Sequence, residues 1–542
     1  MAFINIVDLS FSYEGSSDMV FEHVSFRMDT DWRLGFTGRN GRGKTTFMRL
    51  LWDFGRREED RRYEYSGTIT APVGFEYFPY EIMDQERFTL EIAEELLPGS
   101  TAPGEIWKIF REFSNLELGE DVLYRPFSTL SYGERTKALL ALLFLRDDKF
   151  LLIDEPTNHL DMRAREILGE YLRKKSGFLL VSHDRRLLDT CTDHTLSINK
   201  TNIEIQKGNF SSWWENKRRQ DACELAENEK LKKDIGRLKM AARQSGEWAD
   251  QVEATKIGRK NAEKFSTTGR IDTRAYIGEK SRRMQMRRKN LERRQERAIE
   301  EKSALLKNLE EVRDLKLFPM EYRSEQLAEF RDVSIGYGEK MVMGGVRFQI
   351  CRGDRIALTG RNGCGKSSII KLLLSCLGSR PGEGAVGFEN IVHKSADVTV
   401  LTYSGKLDIG SRLVISYVPQ DAGFLKGKLT DYAKEKEIDP VLLNVLLRKM
   451  DFSRTQLEKS MEDFSEGQKK KVLLAASLAT QAHLYIWDEP LNYIDVFSRM
   501  QIEDLILKYK PTLMFVEHDR EFVERISTKT LNCDEFSHFI GS

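Results

Sequence analysis

The sequence predicts an α/β fold in which one domain occurs twice, the two copies joined by a long α-helical hairpin. Three observations carry this reading. The octapeptide Gly38-Arg39-Asn40-Gly41-Arg42-Gly43-Lys44-Thr45 recurs as Gly360-Arg361-Asn362-Gly363-Cys364-Gly365-Lys366-Ser367. Further landmarks within residues 1–210 repeat in order within 326–530. The segment between the copies has almost no strand pattern and no proline before Pro319.

In chain order, Tyr13 ends a strand-like run before the first glycine-rich stretch, and Tyr337 does so before the second. Arg33 to Thr37 reads as a short buried strand and Thr45 to Trp52 as a helix; Arg355 to Thr359 is the corresponding second strand. Leu130-Ser131-Tyr132-Gly133-Glu134 opens a helical stretch that runs to Leu145. Phe464-Ser465-Glu466-Gly467-Gln468 opens its counterpart, to Leu478. Apolar runs then end in Asp154-Glu155-Pro156 and Asp488-Glu489-Pro490. Ser131 precedes Asp154 by 23 positions, and Ser465 precedes Asp488 by 23. His183 follows Asp154 by 29 and His518 follows Asp488 by 30. Matched spacing over this many landmarks marks a duplication. Apolar strands alternating with helices imply a mostly parallel sheet flanked by helices. Ligands of such sheets sit outside the carboxyl ends of the strands.

The intervening segment is different. Good helix formers dominate from Glu215 to about Arg243 and again from about Ser281 to Asp314. They predict two antiparallel helices of roughly 40–50 Å at 1.5 Å per residue. Residues 245–279 hold more Gly, Thr and Asp, which suits a bend, with the tip near 265–276. The expected boundaries are therefore 1–210, 211–322 and 323–542.

A chain of 542 residues is too long for one core. Lys+Arg and Asp+Glu balance at 85 each, so no global field draws it onto nucleic acid. Any such contact needs a local patch. Residues 211–310 carry 26 Lys/Arg against 17 Asp/Glu, most densely at Arg282, Arg283, Arg287, Arg288 and Lys289. Such a hairpin suits phosphate-backbone contact. Its tip combines Arg270 and Arg274 with Phe265, Ile271 and Tyr276, fit for phosphates and unpaired bases. The six cysteines are scattered without a CxxC, so free thiols in a reducing cytosol are expected and no zinc site. No run of about 18 apolar residues and no basic-then-apolar start occurs, so neither a membrane span nor a secretion signal is expected.

The repeated octapeptide has the chemistry of a phosphate cradle. Glycines let the backbone turn its N–H groups toward one point at a helix start, where the dipole favours an anion. Gly38, Arg39, Asn40, Gly41, Arg42, Gly43, Lys44, Thr45 and Thr46 would form one cradle. Gly360, Arg361, Asn362, Gly363, Cys364, Gly365, Lys366, Ser367 and Ser368 would form the other. The lysine would reach the terminal phosphates, and Thr45 or Ser367 would hold Mg²⁺. Asp154 and Asp488 would complete the metal shell, Glu155 and Glu489 would polarise the attacking water, and His183 and His518 could contact the γ-phosphate. Tyr13 and Tyr337 could stack on adenine. Ser-x-Gly at a helix start offers further donors to an anion, yet each half already owns a cradle. The economical arrangement is head to tail. The first cradle would face Ser465, Gly467 and Gln468, and the second would face Ser131, Gly133 and Glu134. ATP would then close the halves and hydrolysis release them.

These motifs resemble the ABC ATPase superfamily, and the tandem arrangement without membrane helices resembles its ABC-F family. The closest likeness is to the Lsa-type antibiotic-resistance members, carried by Met28 to Trp32, Gly38 to Thr46, Glu224 to Lys230 and Tyr485 to Asp495. The resemblance implies an α/β protein of two tandem ABC-type nucleotide-binding domains with ATP and Mg²⁺ as ligands, Gln420 being a metal ligand. It implies a cytoplasmic monomer with two internal ATP sites and no membrane partner. Its linker would enter the tRNA exit site of the bacterial ribosome, meeting rRNA and P-site tRNA. The activity implied is protection against lincosamides, pleuromutilins and streptogramin A. A housekeeping translation factor of the same build is the alternative; a transporter subunit would leave the basic insert unexplained. Three departures stand out: Tyr80 where the family has the glutamine kept as Gln420, and Tyr132 and Glu466 where glycine is usual.

Overall fold

In a computed structural model of the chain, the described residues are 2–14, 19–56, 61–146, 148–158, 160–198, 203–257, 317–338, 340–378 and 401–537. Short, continuous apolar runs build the centre of each half. Phe178–Val181 and Leu513–Val516 are buried along their whole length, as parallel strands covered on both faces must be. In the first half six strands lie in the order Gly74–Phe78, Lys149–Asp154, Phe178–Val181, Arg33–Thr37, His194–Ile198, Ile203–Lys207. Every neighbour is parallel except the last pair. The second half repeats the scheme with Ile415–Val418, Leu484–Asp488, Leu513–Val516, Arg355–Thr359 and Lys529–Asn532, all parallel. In both sheets the strands ending at the acidic pair, at the histidine and at the glycine-rich loop are adjacent. Their carboxyl ends therefore converge.

Each half also has a second, antiparallel sheet that the repeat of landmarks did not reveal. Phe3–Ser12 pairs with Met19–Asp29 and Ser66–Thr70, and Gln326–Tyr337 pairs with Lys340–Cys351 and Leu401–Ile409. Bulges interrupt every ladder, which is why strict alternation is hard to read there.

The chain divides into two compact units, Met1–Trp213 with Val312–Ser542, and Trp214–Glu311. The first linker helix spans Phe210–Ile257, 48 residues or roughly 72 Å at 1.5 Å per residue. The expected end near Arg243 is thus wrong, and the bend does not begin at Ser245. One glycine, Gly246, costs about 1 kcal/mol against alanine. That is too little to stop a helix among Ala, Glu, Gln and Val with no proline. The expected second helix, the tip at 265–276 and Arg270, Ile271, Arg274, Arg282, Arg283, Arg287 and Arg288 lie outside the described residues. Among the described residues, no helix is long and apolar enough to cross a membrane.

The halves are joined by buried charge. Arg185 donates through Nη1 to Glu503 at 3.2 Å and pairs with Glu521 at 3.3 Å. Glu503 is fully buried and also pairs with Arg525 at 2.7 Å. Arg520 of the second half reaches back to Glu166 of the first. Trp213 sets its ring edge on Phe497, 6.2 Å between centroids. Removing one partner of a buried pair leaves the other charge uncompensated, at a cost of about 3–5 kcal/mol. Because Arg525 remains, Arg185→Ala is expected to cost about 3 kcal/mol, read as a lower urea midpoint, whereas an exposed Arg331→Ala should leave the midpoint unchanged.

Candidate active sites

Each glycine-rich loop leaves a parallel strand and enters a helix whose first residue is its lysine. Gly43 starts the first helix at φ 90° with no side-chain cap, so the free N–H groups of that helix start are open to an anion. A Cβ at Gly43 would also meet Val20 Cγ1 at 2.6 Å, and one at Gly365 would meet Met343 Sδ at 2.6 Å. Only glycine suits these two positions. Lys44 Nζ donates to the Gly38 and Arg39 carbonyls at 2.7 and 3.1 Å. Lys366 Nζ donates to those of Gly360 and Arg361, both at 2.8 Å. Each ammonium thus bridges the loop that it follows. Burial lowers the Lys44 pKa against the pull of Asp495, Glu155 and Asp154.

Hydroxyl and carboxylate meet beside each loop. Thr45 Oγ1 donates to Asp154 Oδ2 at 2.8 Å, and Ser367 Oγ to Asp488 Oδ1 at 3.4 Å. Such hard oxygen pairs suit Mg²⁺. Tyr13 and Thr46 share a hydroxyl hydrogen bond of 2.7 Å, and Tyr337 and Ser368 one of 3.2 Å. Glu155 and Glu489 both occupy the left-handed backbone region, at φ 49° and 47°. A non-glycine residue held there costs of order 1–3 kcal/mol, and here it occurs at the same place in both copies.

The two acids nonetheless live in different surroundings. Glu489 Oε2 accepts from Asn492 Nδ2 at 2.7 Å, and Oε1 lies 3.5 Å from His518 Nε2. Burial pushes Glu489 up, but hydrogen bonds from His518, Gln420 and Asn492 win and bring it to about 2. Glu155 Oε1 is shielded without a hydrogen-bond partner, His183 Nε2 standing 3.3 Å away. Burial and then the Asp154 charge push Glu155 up to about 8, against Lys44 and Arg499. Burial first, then Lys44 and Arg499, hold His183 well below the ordinary histidine range. The place of Gln420 is taken by Tyr80, which is raised by burial and by Glu76, with Arg146 opposing. A different tyrosine serves the residue before Glu155: Tyr77 donates to Asp154 Oδ2 at 3.0 Å.

Both Ser-x-Gly motifs are capping boxes. Ser131 Oγ accepts from the Glu134 N–H at 3.2 Å while the Glu134 carboxylate accepts from the Ser131 N–H at 2.8 Å. Ser465 and Gln468 do the same at 3.3 and 3.0 Å. Across the second cradle lies a cleft of about 1220 Å³. One wall carries Ser131, Tyr132, Gly133 and Glu134. The other carries Tyr337, Arg361, Asn362, Gly363, Gly365, Lys366, Ser367, Ser368, Gln420, Glu489 and His518. At the first cradle the halves touch. Asn40 Nδ2 donates to the Tyr493 carbonyl at 2.8 Å, and Arg39 pairs with Asp451 at 3.5 Å. Gly467 lies against that same carbonyl: a Cβ would meet it at 2.5 Å and Asn40 Nδ2 at 3.3 Å.

Sequence reasoning passed over Asn492, Tyr493, Asp451 and Tyr77. Two of these left a signal in the repeat. Asn158 and Asn492 each follow the acid by three, and Tyr77 and Tyr417 each sit three before the Tyr80/Gln420 position. Tyr493 acts here through its carbonyl, and Asp451 has no motif around it.

A family model described as ABC transporter matches residues 21–158 and 343–492. The Bacillus subtilis protein named ribosome protection protein VmlR is 25% identical over 96% of this chain and 85% of its own length. The Arabidopsis thaliana protein named ABC transporter F family member 5 is 25% identical over 98% of this chain and 75% of its own. Among solved structures, one titled RNase-L Inhibitor superposes with a TM-score of 0.55 at 19% identity, over 96% of this chain and 87% of the other. It shares the tandem fold.

The crowding at Gly467 makes a differential expectation. Gly467→Ala must displace a backbone carbonyl, whereas a Cβ at Gly133 would meet only Leu160 Cδ2, at an ordinary 3.5 Å. Displacement of about 1 Å at a reacting centre costs roughly a hundredfold. ATP turnover of Gly467→Ala should fall by about tenfold or more, and without nucleotide the urea midpoint should fall for Gly467→Ala and stay unchanged for Gly133→Ala.

Proposed function

The chain belongs to the ABC transporter family, in its tandem F branch, and from that premise we propose that it is a cytoplasmic, ribosome-binding, Mg²⁺-dependent ATPase that protects the ribosome from antibiotics. The observation that carries the ATPase reading is the composite cleft, with a cradle on one wall and the opposite half's capping box on the other. The loop N–H groups and Lys366 bind the phosphates. Ser131 and its helix start approach the terminal phosphate from across the cleft. Glu489, aimed by its left-handed backbone and by Asn492, accepts the proton of an attacking water, and His518 steadies the same end. Ser367, Asp488 and Gln420 here, and Thr45 and Asp154 in the other site, would hold Mg²⁺, which would supply positive charge to the phosphate oxygens. The first site uses Lys44, His183 and Ser465 in the same roles, with Gly467 already seated, while Glu155, which burial and Asp154 push up to about 8, accepts the proton only once it has ionised.

The ribosomal half of the proposal rests on the name of the Bacillus subtilis relative and on the basic insert. Residues 211–322 act as the reaching arm, Arg282, Arg283, Arg287 and Arg288 meet rRNA phosphates, and Arg270, Ile271 and Arg274 near the tip reshape the drug site. Lincosamides, pleuromutilins and streptogramin A are the proposed drugs. The second reading is a translation factor that needs no drug; the plant relative, whose name carries no protection role, keeps it open.

Two experiments test this. Glu155→Gln with Glu489→Gln should abolish turnover, keep ATP binding and leave the protein on ribosomes with ATP in a pelleting assay; release with ATP present contradicts the closure cycle. Replacing residues 266–275 by a short Gly/Ser turn should preserve ATP hydrolysis and abolish resistance in a susceptible host. Resistance that survives the replacement rules out the tip, and no resistance from the wild type favours the translation factor.

A further inference from the structure

Arg185 stands two residues after His183, and Arg520 two after His518. The aspartate between them is held alike in both halves. Asp184 accepts from the Leu187 N–H at 3.0 Å and from Arg165 at 3.3 Å. Asp519 accepts from the Phe522 N–H at 3.1 Å and from Arg499 at 3.0 Å. Arg165 and Arg499 in turn donate to the Leu160 and Ile494 carbonyls at 3.0 and 2.9 Å. Beyond this shared frame the symmetry ends. Arg185 crosses to Glu503, on the helix Val496–Tyr509 of the second half, and to Glu521. Measured from the capping aspartates Asp161 and Asp495, the place of Glu503 is taken in the first half by Gly169. Arg520 finds no carboxylate there and settles on Glu166, one turn earlier, and on Glu524 of its own helix. Arg185 and Glu503 are 4% and 0% exposed, Arg520 and Glu166 43% and 44%.

We propose that Arg185 is a positioning residue that pins the loop of His183 to the second half, so that the first ATP site keeps its nucleotide while the second exchanges. The inference rests on the reading of both cradles as ATP sites. Opening the first site draws the start of the helix Arg185–Cys191 away from Glu503. It separates a buried, hydrogen-bonded charge pair, and such pairs act on the rate of dissociation. The same motion breaks Asn40 from the Tyr493 carbonyl and Arg39 from Asp451. Opening the second site only trades an exposed arginine–glutamate pair for water, at little cost. The cleft of about 1220 Å³ lies on that side. One substitution in the duplicated helix, glutamate against glycine, thus gives two similar cradles unequal hold on their nucleotides.

The test loads the full chain with Mg²⁺ and a radiolabelled non-hydrolysable ATP analogue, adds excess unlabelled ATP and follows the label retained on filters. Two release phases of equal amplitude are expected, the slower by at least about tenfold. Lys44→Ala should remove the slow phase and Lys366→Ala the fast one. Arg185→Gln should convert the slow phase into a fast one at full amplitude, which a misfolded chain would not show, and Arg185→Lys should keep it slow. Arg520→Gln should leave both phases within about twofold of wild type. Gly169→Glu supplies the missing carboxylate and should slow the fast phase; its Cβ would make ordinary contacts with Leu187 Cδ1 at 3.4 Å and Thr190 Cγ2 at 3.6 Å. A slow phase that survives Arg185→Gln overturns the proposal, as does a slow phase removed by Lys366→Ala instead of Lys44→Ala. If Arg185→Gln holds no label, Gly169→Glu decides, and an unslowed fast phase overturns the proposal. A wild type that releases two nucleotides at a single rate overturns this inference alone. A wild type that retains no analogue overturns the ATP reading and this inference with it.

Discussion

Backbone N–H groups gathered at a helix start can hold a phosphate from one side only, and in this chain the opposite half's capping box lines the other wall of the cleft at the second cradle. The contact at Tyr493 shows how the halves meet at the first. Its carbonyl takes the Asn40 amide from the first cradle and leaves Gly467 no room for a side chain. Three chain segments more than 25 residues apart thereby share one oxygen. Charge too is neutralised in pairs that cross between the halves: Arg39 with Asp451, Arg185 with Glu503, Arg520 with Glu166. Buried arginine and glutamate are tolerated there because each finds its partner in the other half.

The duplication has not produced two equal sites. A glutamine in one copy and a tyrosine in the other separate the environments of Glu489 and Glu155. Gln420 joins Asn492 and His518 in donating to Glu489, which holds its charge despite burial. Glu155 lacks that company and is pushed toward its neutral form by burial and by Asp154. The same divergence places Cys364 in one cradle and Arg42 in the other. Two copies that began alike now differ in how an acid is charged, how a signature glycine is crowded and which loop carries a thiol.

What could be read in advance was position. The adjacency of the three strands ending at Thr37, Val181 and Asp154 follows from apolar runs, glycine turns and their spacing, and the same signals recur in the second copy. What could not be read depends on contacts without periodicity. The bulged antiparallel sheets break alternation within a few residues. Asp451 and Tyr493 matter because a loop of the other half ends beside them, and no local pattern announces that. The helix Phe210–Ile257 outran its expected end because the summed propensity of its residues outweighs Gly246. The sign of the charge difference between Glu155 and Glu489 needed the surrounding donors to be placed.

If each nucleotide is shared between the halves, a structure of the full wild-type chain with Mg²⁺ and a non-hydrolysable ATP analogue will hold two nucleotides, one between Lys44 and Ser465 and one between Lys366 and Ser131. Each terminal phosphate will lie within hydrogen-bond reach of both halves. Nucleotides held by one half each, with Ser131 and Ser465 out of reach, would contradict it.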